Sequence, residues 1–297
     1  MSQAGVIEPE ESALEKGTSL WRDAWRRLLR NRMAVASGVL LLLVGAVTLS
    51  SPLLPLHDPE AQELELGATG PSWAHPFGTD VLGRDLLARV IDGGRVSILV
   101  GLVATLVSFI VGVGYGAVAG YFGGRVDNVM MRVVDVLYSL PYMFLVILLM
   151  VYFSRSLVML FVALGLVQWL TMARIVRGQV LSIKQQEFVE AARSMGTRNV
   201  DIIFRHVVPN ALGPIIVYAT LTVPAVMLQE AFLSFLGLGV QPPDASWGTL
   251  VNEGARVIAF FPWLVLFPGF ALALTLFCLN FLGDGLRDAL DPHLRHE

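Results

Sequence analysis

Six stretches of this chain run for 18 residues or more without an Asp, Glu, Lys or Arg: 33–56, 96–124, 136–154, 156–173, 206–229 and 257–283. A bilayer core about 30 Å thick is crossed by about 20 apolar residues in a helix rising about 1.5 Å per residue. Each stretch is therefore long enough to span, and in lipid a spanning segment must satisfy its backbone internally, as a helix does. The expected fold class is an all-α polytopic membrane protein with six transmembrane helices. Composition agrees. Hydrophobic residues make up 55% of the chain and charged residues 15%, too few charges to coat a soluble surface. This balance argues against a cytosolic enzyme. A net charge of −3 excludes bulk electrostatic attraction to nucleic acid. The single cysteine, Cys278, excludes an internal disulfide and a cysteine-based metal cluster.

The placement of the few charges gives an orientation. Sixteen of the 21 basic residues fall in the N-terminal segment, the second and fourth connections and the C-terminal tail, and five fall in the alternate connections. Lys and Arg concentrate on the cytoplasmic side, so both termini are expected there. This divides the chain into a cytoplasmic segment 1–32, a first span 33–56, an external loop 57–95 and a five-helix core 96–283. Within the core lie a cytoplasmic loop 179–206 and an external loop 238–256, and a cytoplasmic tail 284–297 follows. The first span begins after about 32 mostly polar residues, too far along for a cleaved signal peptide, and is read as a retained anchor. Leu86, Leu87, Val90 and Ile91 fall on one side of a short amphipathic helix over 85–91, within an external loop that is either a solvated connection or a docking surface.

Most catalytic chemistry is missing. The only lysines, Lys16 and Lys184, do not stand in a Gly-Lys-Ser/Thr phosphate loop. The five histidines show no ligand spacing on one helix, and no metal is expected. No nucleophile–base set stands out, and no catalytic residue is assigned. Ionisable groups inside the spans are rare. Glu230 comes 21 residues after Pro209, about 31 Å along a helix, near the outer interface. It reads as an interhelical carboxylate or as part of a solute path. Gln168, Gln229 and Asn280 carry the same two readings, helix–helix hydrogen bonding or path. Gly112, Gly116 and Gly120 form a small-residue ridge that suits close helix packing.

Residues 174–205 are the most informative. Phe188, Ala191, Ala192 and Met195 recur at i, i+3, i+4, i+7 on one face of a short helix, with Gln186, Glu187, Glu190 and Arg193 opposite. Gly196 is placed to end that helix in a left-handed conformation, Thr197 or Asn199 to cap a second turn, and Pro209 to open the fifth span. Two alanines on the apolar face bury little area in lipid. Small residues suit insertion into a protein cleft, so the segment reads as a docking helix, with a helix lying on the membrane surface as the alternative.

The run Glu190-Ala191-Ala192, three residues, Gly196 and then Pro209 resembles the EAA loop of ABC-importer permeases. The family pattern has Ile where this chain has His206 and Leu where it has Val208. The resemblance extends over nearly the whole chain. Phe77-Gly78-Thr79-Asp80, Leu82-Gly83-Arg84-Asp85, Phe235-Leu236-Gly237-Leu238-Gly239 and Ser246-Trp247-Gly248 resemble the dipeptide, oligopeptide and nickel importer group. So does the segment from Gly283 to Pro292. Residues 21–24, 31–37, 173–179 and 262–263 are similar to oligopeptide-importer permeases of the second type.

The resemblance implies a type I ABC-importer permease fold in the bacterial cytoplasmic (inner) membrane. It implies a homologous second permease, two cytoplasmic ATPase subunits and an external solute-binding protein as partners. No cofactor is bound by the chain itself; ATP and Mg belong to the ATPases. Oligopeptides or dipeptides are the implied solute, with nickel or another small solute as the alternative. Glu187, Glu190, Ala191, Ala192, Gly196 and Pro209 would couple to the ATPase. Asp80, Arg84, Asp85, Asp244 and Trp247 would meet the binding protein. Gln168, Gln229, Glu230 and Asn280 would line the path. An ion-coupled carrier or channel is the rival class, since Pro224 has the position to break the fifth span.

Overall fold

The computed structural model describes residues 20–153 and 156–290. Lys16, Arg155, His293, Arg295 and His296 lie outside the described residues, and with them their share of the orientation and ligand readings. What is described is helical, with one isolated β-bridge between Thr79 and Asp85.

The chain opens with an amphipathic helix α1 (Leu20–Arg30), which rests on the last helix through Ala24 and Leu28. Asn31 then caps α2 (Arg32–Leu49), accepting a hydrogen bond from the Ala34 amide at 3.2 Å. A loop with a single 3-10 turn follows, and Asp85 caps α3 (Leu86–Phe122) by accepting from the Ala88 amide at 2.8 Å. The expected separate helix over 85–91 does not exist. It is the first two turns of α3, whose 37 residues run about 55 Å, well beyond a bilayer core. The helix passes Arg89 unbroken because that guanidinium is paired, donating to Asp80 at 2.8 Å and Glu253 at 2.7 Å.

Gly123 ends α3, and α4 (Gly124–Ser139) and α5 (Tyr142–Phe153) follow, bent by 85° at Leu140-Pro141. The expected straight third span over 136–154 is thus broken. Proline lacks an N–H and clashes with a continuing helix. It also drives the preceding residue toward extended backbone, and Leu140 has φ −77°, ψ 140°.

Ser156 caps α6 (Leu157–Ile183), which packs along α3. The glycine ridge explains the fit. A Cβ on Gly112 would stand 2.6 Å from the Met172 Cβ, one on Gly116 would strike the Ala173 carbonyl, and one on Gly120 would lie 2.9 Å from the Arg177 carbonyl. Helix α7 (Glu187–Ser194) and α8 (Asn199–Asp201) connect through a π-turn, Ile202–Val207, to α9 (Val208–Phe235). Pro224 is buried inside α9 and does not break it. Helix α10 (Trp247–Ala255) carries a reciprocal Ser246/Thr249 cap. Helix α11 (Trp263–Leu290) continues seven residues past the expected end of the last span at 283. Among the described residues five helices are long and apolar enough to cross a membrane, six if the bent α4–α5 pair counts as one.

Candidate functional site

Three constellations stand out: the short helix α7 at one end, a cleft beside α4–α5, and a charged cluster at the other end of α3.

In α7 the inward positions are Val189 and Ala192, fully or nearly fully buried with Ile183, Ile202, Ile203 and Val207. Phe188, Ala191 and Met195 form an exposed stripe at i, i+3, i+7, Met195 at 78% exposure. The single apolar face expected from the sequence is therefore divided: Ala192 holds the helix to the bundle and Ala191 faces out. Glu187 and Glu190 are exposed beside the stripe. Gly196 has φ +77° with nothing near its Cα hydrogens, the left-handed conformation that L side chains resist. The expected cap of the following turn differs. Asn199 is the first residue of α8, Arg198 precedes it, and neither Thr197 nor Asn199 accepts an N-cap bond there. The Asn199 side chain instead accepts from the Tyr121 hydroxyl at 3.0 Å. Pro209 is the second residue of α9 and exposed.

Sequence reasoning missed the anchors of this loop. Lys184 Nζ donates to the Gly120 carbonyl at 2.7 Å. Arg177 forks onto Asp127 at 2.5 and 2.6 Å, a bidentate pair. The Arg193 guanidinium lies 5.6 Å above the Tyr121 ring. The scarcity of lysine was the available signal for Lys184. Together these contacts fasten the α6 and α7 ends to the end of α3 and the start of α4.

The cleft has a volume of about 410 Å³ and lies where the α4–α5 break leaves room beside α6 and α9. Gln168 and Gln229 both line it, and Gln168 Nε2 donates to Gln229 Oε1 at 3.2 Å. The other two residues expected beside them are elsewhere. Glu230 points away from the cleft, fully buried, its Oε1 accepting from the Ser234 hydroxyl at 2.6 Å. Asn280 is exposed on α11 and donates to the Leu276 carbonyl of its own helix at 2.8 Å.

At the far end of α3, Asp80 Oδ2 accepts from Arg84 Nε at 2.7 Å and Arg89 Nη1 at 2.8 Å, and Arg89 continues to Glu253 on α10. Asp80 and Asp85 are 4% exposed and Trp247 1%. The Trp247 indole donates to the Val90 carbonyl at 2.8 Å and its backbone amide to Ser97 Oγ at 3.0 Å. Three of the five residues expected to face a partner are therefore buried within the chain. Asp244 is exposed and Arg84 half-buried.

Comparison with known proteins decides the family. Residues 112–296 match the family described as binding-protein-dependent transport system inner membrane component. The chain belongs to this family. Residues 19–71 also match the N-terminal transmembrane domain of oligopeptide transport permease C. The oligopeptide transport system permease protein OppC of Escherichia coli (strain K12) is 51% identical, over 93% of this chain and 92% of that protein. The dipeptide transport system permease protein DppC of Bacillus subtilis (strain 168) is 48% identical, over 96% and 89%. In fold, the chain is similar to a chain of the inward-facing MetNI methionine ABC transporter. The TM-score is 0.57 at 19% identity, covering 69% of this permease and 98% of that chain.

The three constellations of this permease fall in order along the molecule. The α7 stripe and the charged cluster lie toward opposite ends of α3, whose first turn meets Asp80 and whose last meets Lys184. The Gln168–Gln229 cleft opens onto helices α6 and α9 between them.

Proposed function

We propose that this chain is the non-catalytic membrane subunit of an ATP-driven importer of oligopeptides or dipeptides. It works with a homologous second permease, two cytoplasmic ATPases that carry ATP and Mg, and an external solute-binding protein. The observation that carries the reading is the division of α7: two residues bury it on the segment leading into α9, and an apolar stripe flanked by two carboxylates is left exposed among the described residues. Such a helix fits a groove of an ATPase subunit through Glu187, Glu190, Ala191 and the turn at Gly196, with Ala192 beneath.

Closure of the ATPases on ATP would move α7. Because Val189 and Ala192 share a cluster with Ile202, Ile203 and Val207, a displacement passes into α9, and through Lys184 and Arg177 into α3 and α4. Helices packed this closely shift as rigid bodies between discrete arrangements. The cleft holding Gln168 and Gln229 lies between the moving parts. Its uncharged polar groups suit peptides of varied sequence. Loops 57–95 and 238–256 would receive the binding protein, with Asp244 and Arg84 at the surface and Asp80, Asp85 and Trp247 holding its shape.

The test is uptake of a labelled peptide by the complete complex in proteoliposomes. Uptake is expected to require ATP and the binding protein and to proceed with no ion gradient. Uptake driven by an ion gradient without ATP, or of nickel with no peptide, overturns the reading.

A further inference from the structure

The loop between α2 and α3 brings together three groups, His57, His75 and the α3 cap Asp85. His75 Nδ1 lies 2.8 Å from Asp85 Oδ2, and His57 Nδ1 lies 3.7 Å from the same oxygen. One donor atom from each of the three residues lies within 4.8 Å of the others. We propose that His57, His75 and Asp85 form a site for a borderline divalent cation of the Zn²⁺ class, with its remaining coordination position open to solvent.

The geometry supports a metal rather than hydrogen bonding alone. His75 is in ordinary hydrogen-bond range of Asp85. His57, at 3.7 Å, is beyond it, and its ring lies 5.0 Å from the His75 ring. Ligand atoms about 2.0–2.1 Å from a tetrahedral Zn²⁺ stand about 3.3–3.4 Å apart. The two separations to Asp85 Oδ2 bracket that spacing. The two carboxylate oxygens already have separate roles. Oδ1 accepts the α3 cap bond from Ala88, which leaves Oδ2 as a single ligand atom.

Two imidazoles and one carboxylate are a donor set that suits zinc. Two of the three ligands are fixed. Asp85 is 4% exposed at the start of α3, and the His75 turn is closed by Ser72, whose amide donates to the His75 carbonyl at 2.8 Å. The His57 side chain, 60% exposed, is the one free to swing onto the ion. A bound cation would staple the loop to the first turn of α3.

The test uses the full-length chain in detergent, purified without a polyhistidine tag, stripped with a chelator and titrated with Co²⁺ and then Zn²⁺. The expected result is one Co²⁺ per chain with the visible absorption of a tetrahedral site, displaced by Zn²⁺. His57→Ala, at an exposed side chain, should keep the metal-free melting temperature. It should also weaken Zn²⁺ binding by at least about tenfold, because a third of the protein ligands is gone. Zn²⁺ should raise the melting temperature of the wild type and not of this variant. Metal affinity and spectrum unchanged in His57→Ala, or no uptake by the wild type, overturns the proposal. Residual binding carried by His206, His293 or His296 would survive in a His57→Ala/His75→Ala variant and counts against it equally.

Discussion

Two neighbouring alanines in α7 carry different duties. At about 100° per residue on a helix, Ala192 falls with Val189 on the inner side and Ala191 with Phe188 and Met195 on the outer. A bulky residue at Ala192 must fit into a packed cluster, which costs about 1–3 kcal/mol by overpacking. At Ala191 it meets solvent in the isolated chain and, on the proposed docking, the groove of an ATPase subunit. Ala191→Trp is therefore expected to leave the amount of folded, membrane-inserted chain unchanged while cutting ATP-dependent uptake by at least about tenfold. Ala192→Trp is expected to lower the folded amount itself. Size-exclusion yield and uptake, measured side by side, check this. Equal behaviour of the two variants counts against the assignment. The sequence placed 188, 191, 192 and 195 on one broad arc, since periodicity reports which residues neighbour one another. It holds no information on which edge of the arc meets the bundle, because that depends on Ile202, Ile203 and Val207 arriving from the next segment.

Between elements, the most extensive packing is that of α3 along α6, and Gly112, Gly116 and Gly120 make room for it. The ridge was legible as a packing signal; its partner was not, since any helix with a matching groove would serve. Gly116→Val places a branched side chain against the Ala173 carbonyl and Val176 and is expected to separate the helices. The folded fraction in detergent should fall sharply, by the few kcal/mol typical of overpacking. Gly114→Val on the same helix meets nothing within 4 Å and should remain near wild type. Thermal melts of the two variants distinguish packing at this seam from a general intolerance of branched residues in α3. Helix boundaries were the least legible feature at this scale. Arg89, Asp92 and Arg95 put the start of the charge-free stretch at 96, while pairing of Arg89 with Asp80 and Glu253 lets the helix begin at Leu86. Pro141 lay inside an uncharged stretch that counted as a span, and the 85° bend follows from its missing N–H.

For the whole molecule, the bias of 16 basic residues to five gives the expected topology, and α7 and Asp244 are the places to read it. Cys278 is buried, so a Cys278→Ala background provides a chain without thiols. Single cysteines at Asp244 and Glu190, both exposed, are expected to react with a membrane-impermeant thiol reagent from opposite sides: Asp244→Cys from outside in right-side-out vesicles, Glu190→Cys only after they are opened. The reverse pattern would invert the topology. By itself the sequence determined that the chain is helical and membrane-embedded, since charge-free stretches leave the backbone no other way to satisfy its hydrogen bonds in lipid. It also carried the run that resembles the family's loop, since Glu190, Ala191, Ala192 and Gly196 are neighbours along the chain. Only the tertiary structure decided which groups from distant segments meet: Gln168 with Gln229, Lys184 with the Gly120 carbonyl, His57 and His75 with Asp85. The physical reason is that such contacts join different helices, or different turns of one loop, at spacings that no helical period links. Their partners are chosen by how closely the helices and the loop pack, a property of the assembled bundle that local spacing does not carry.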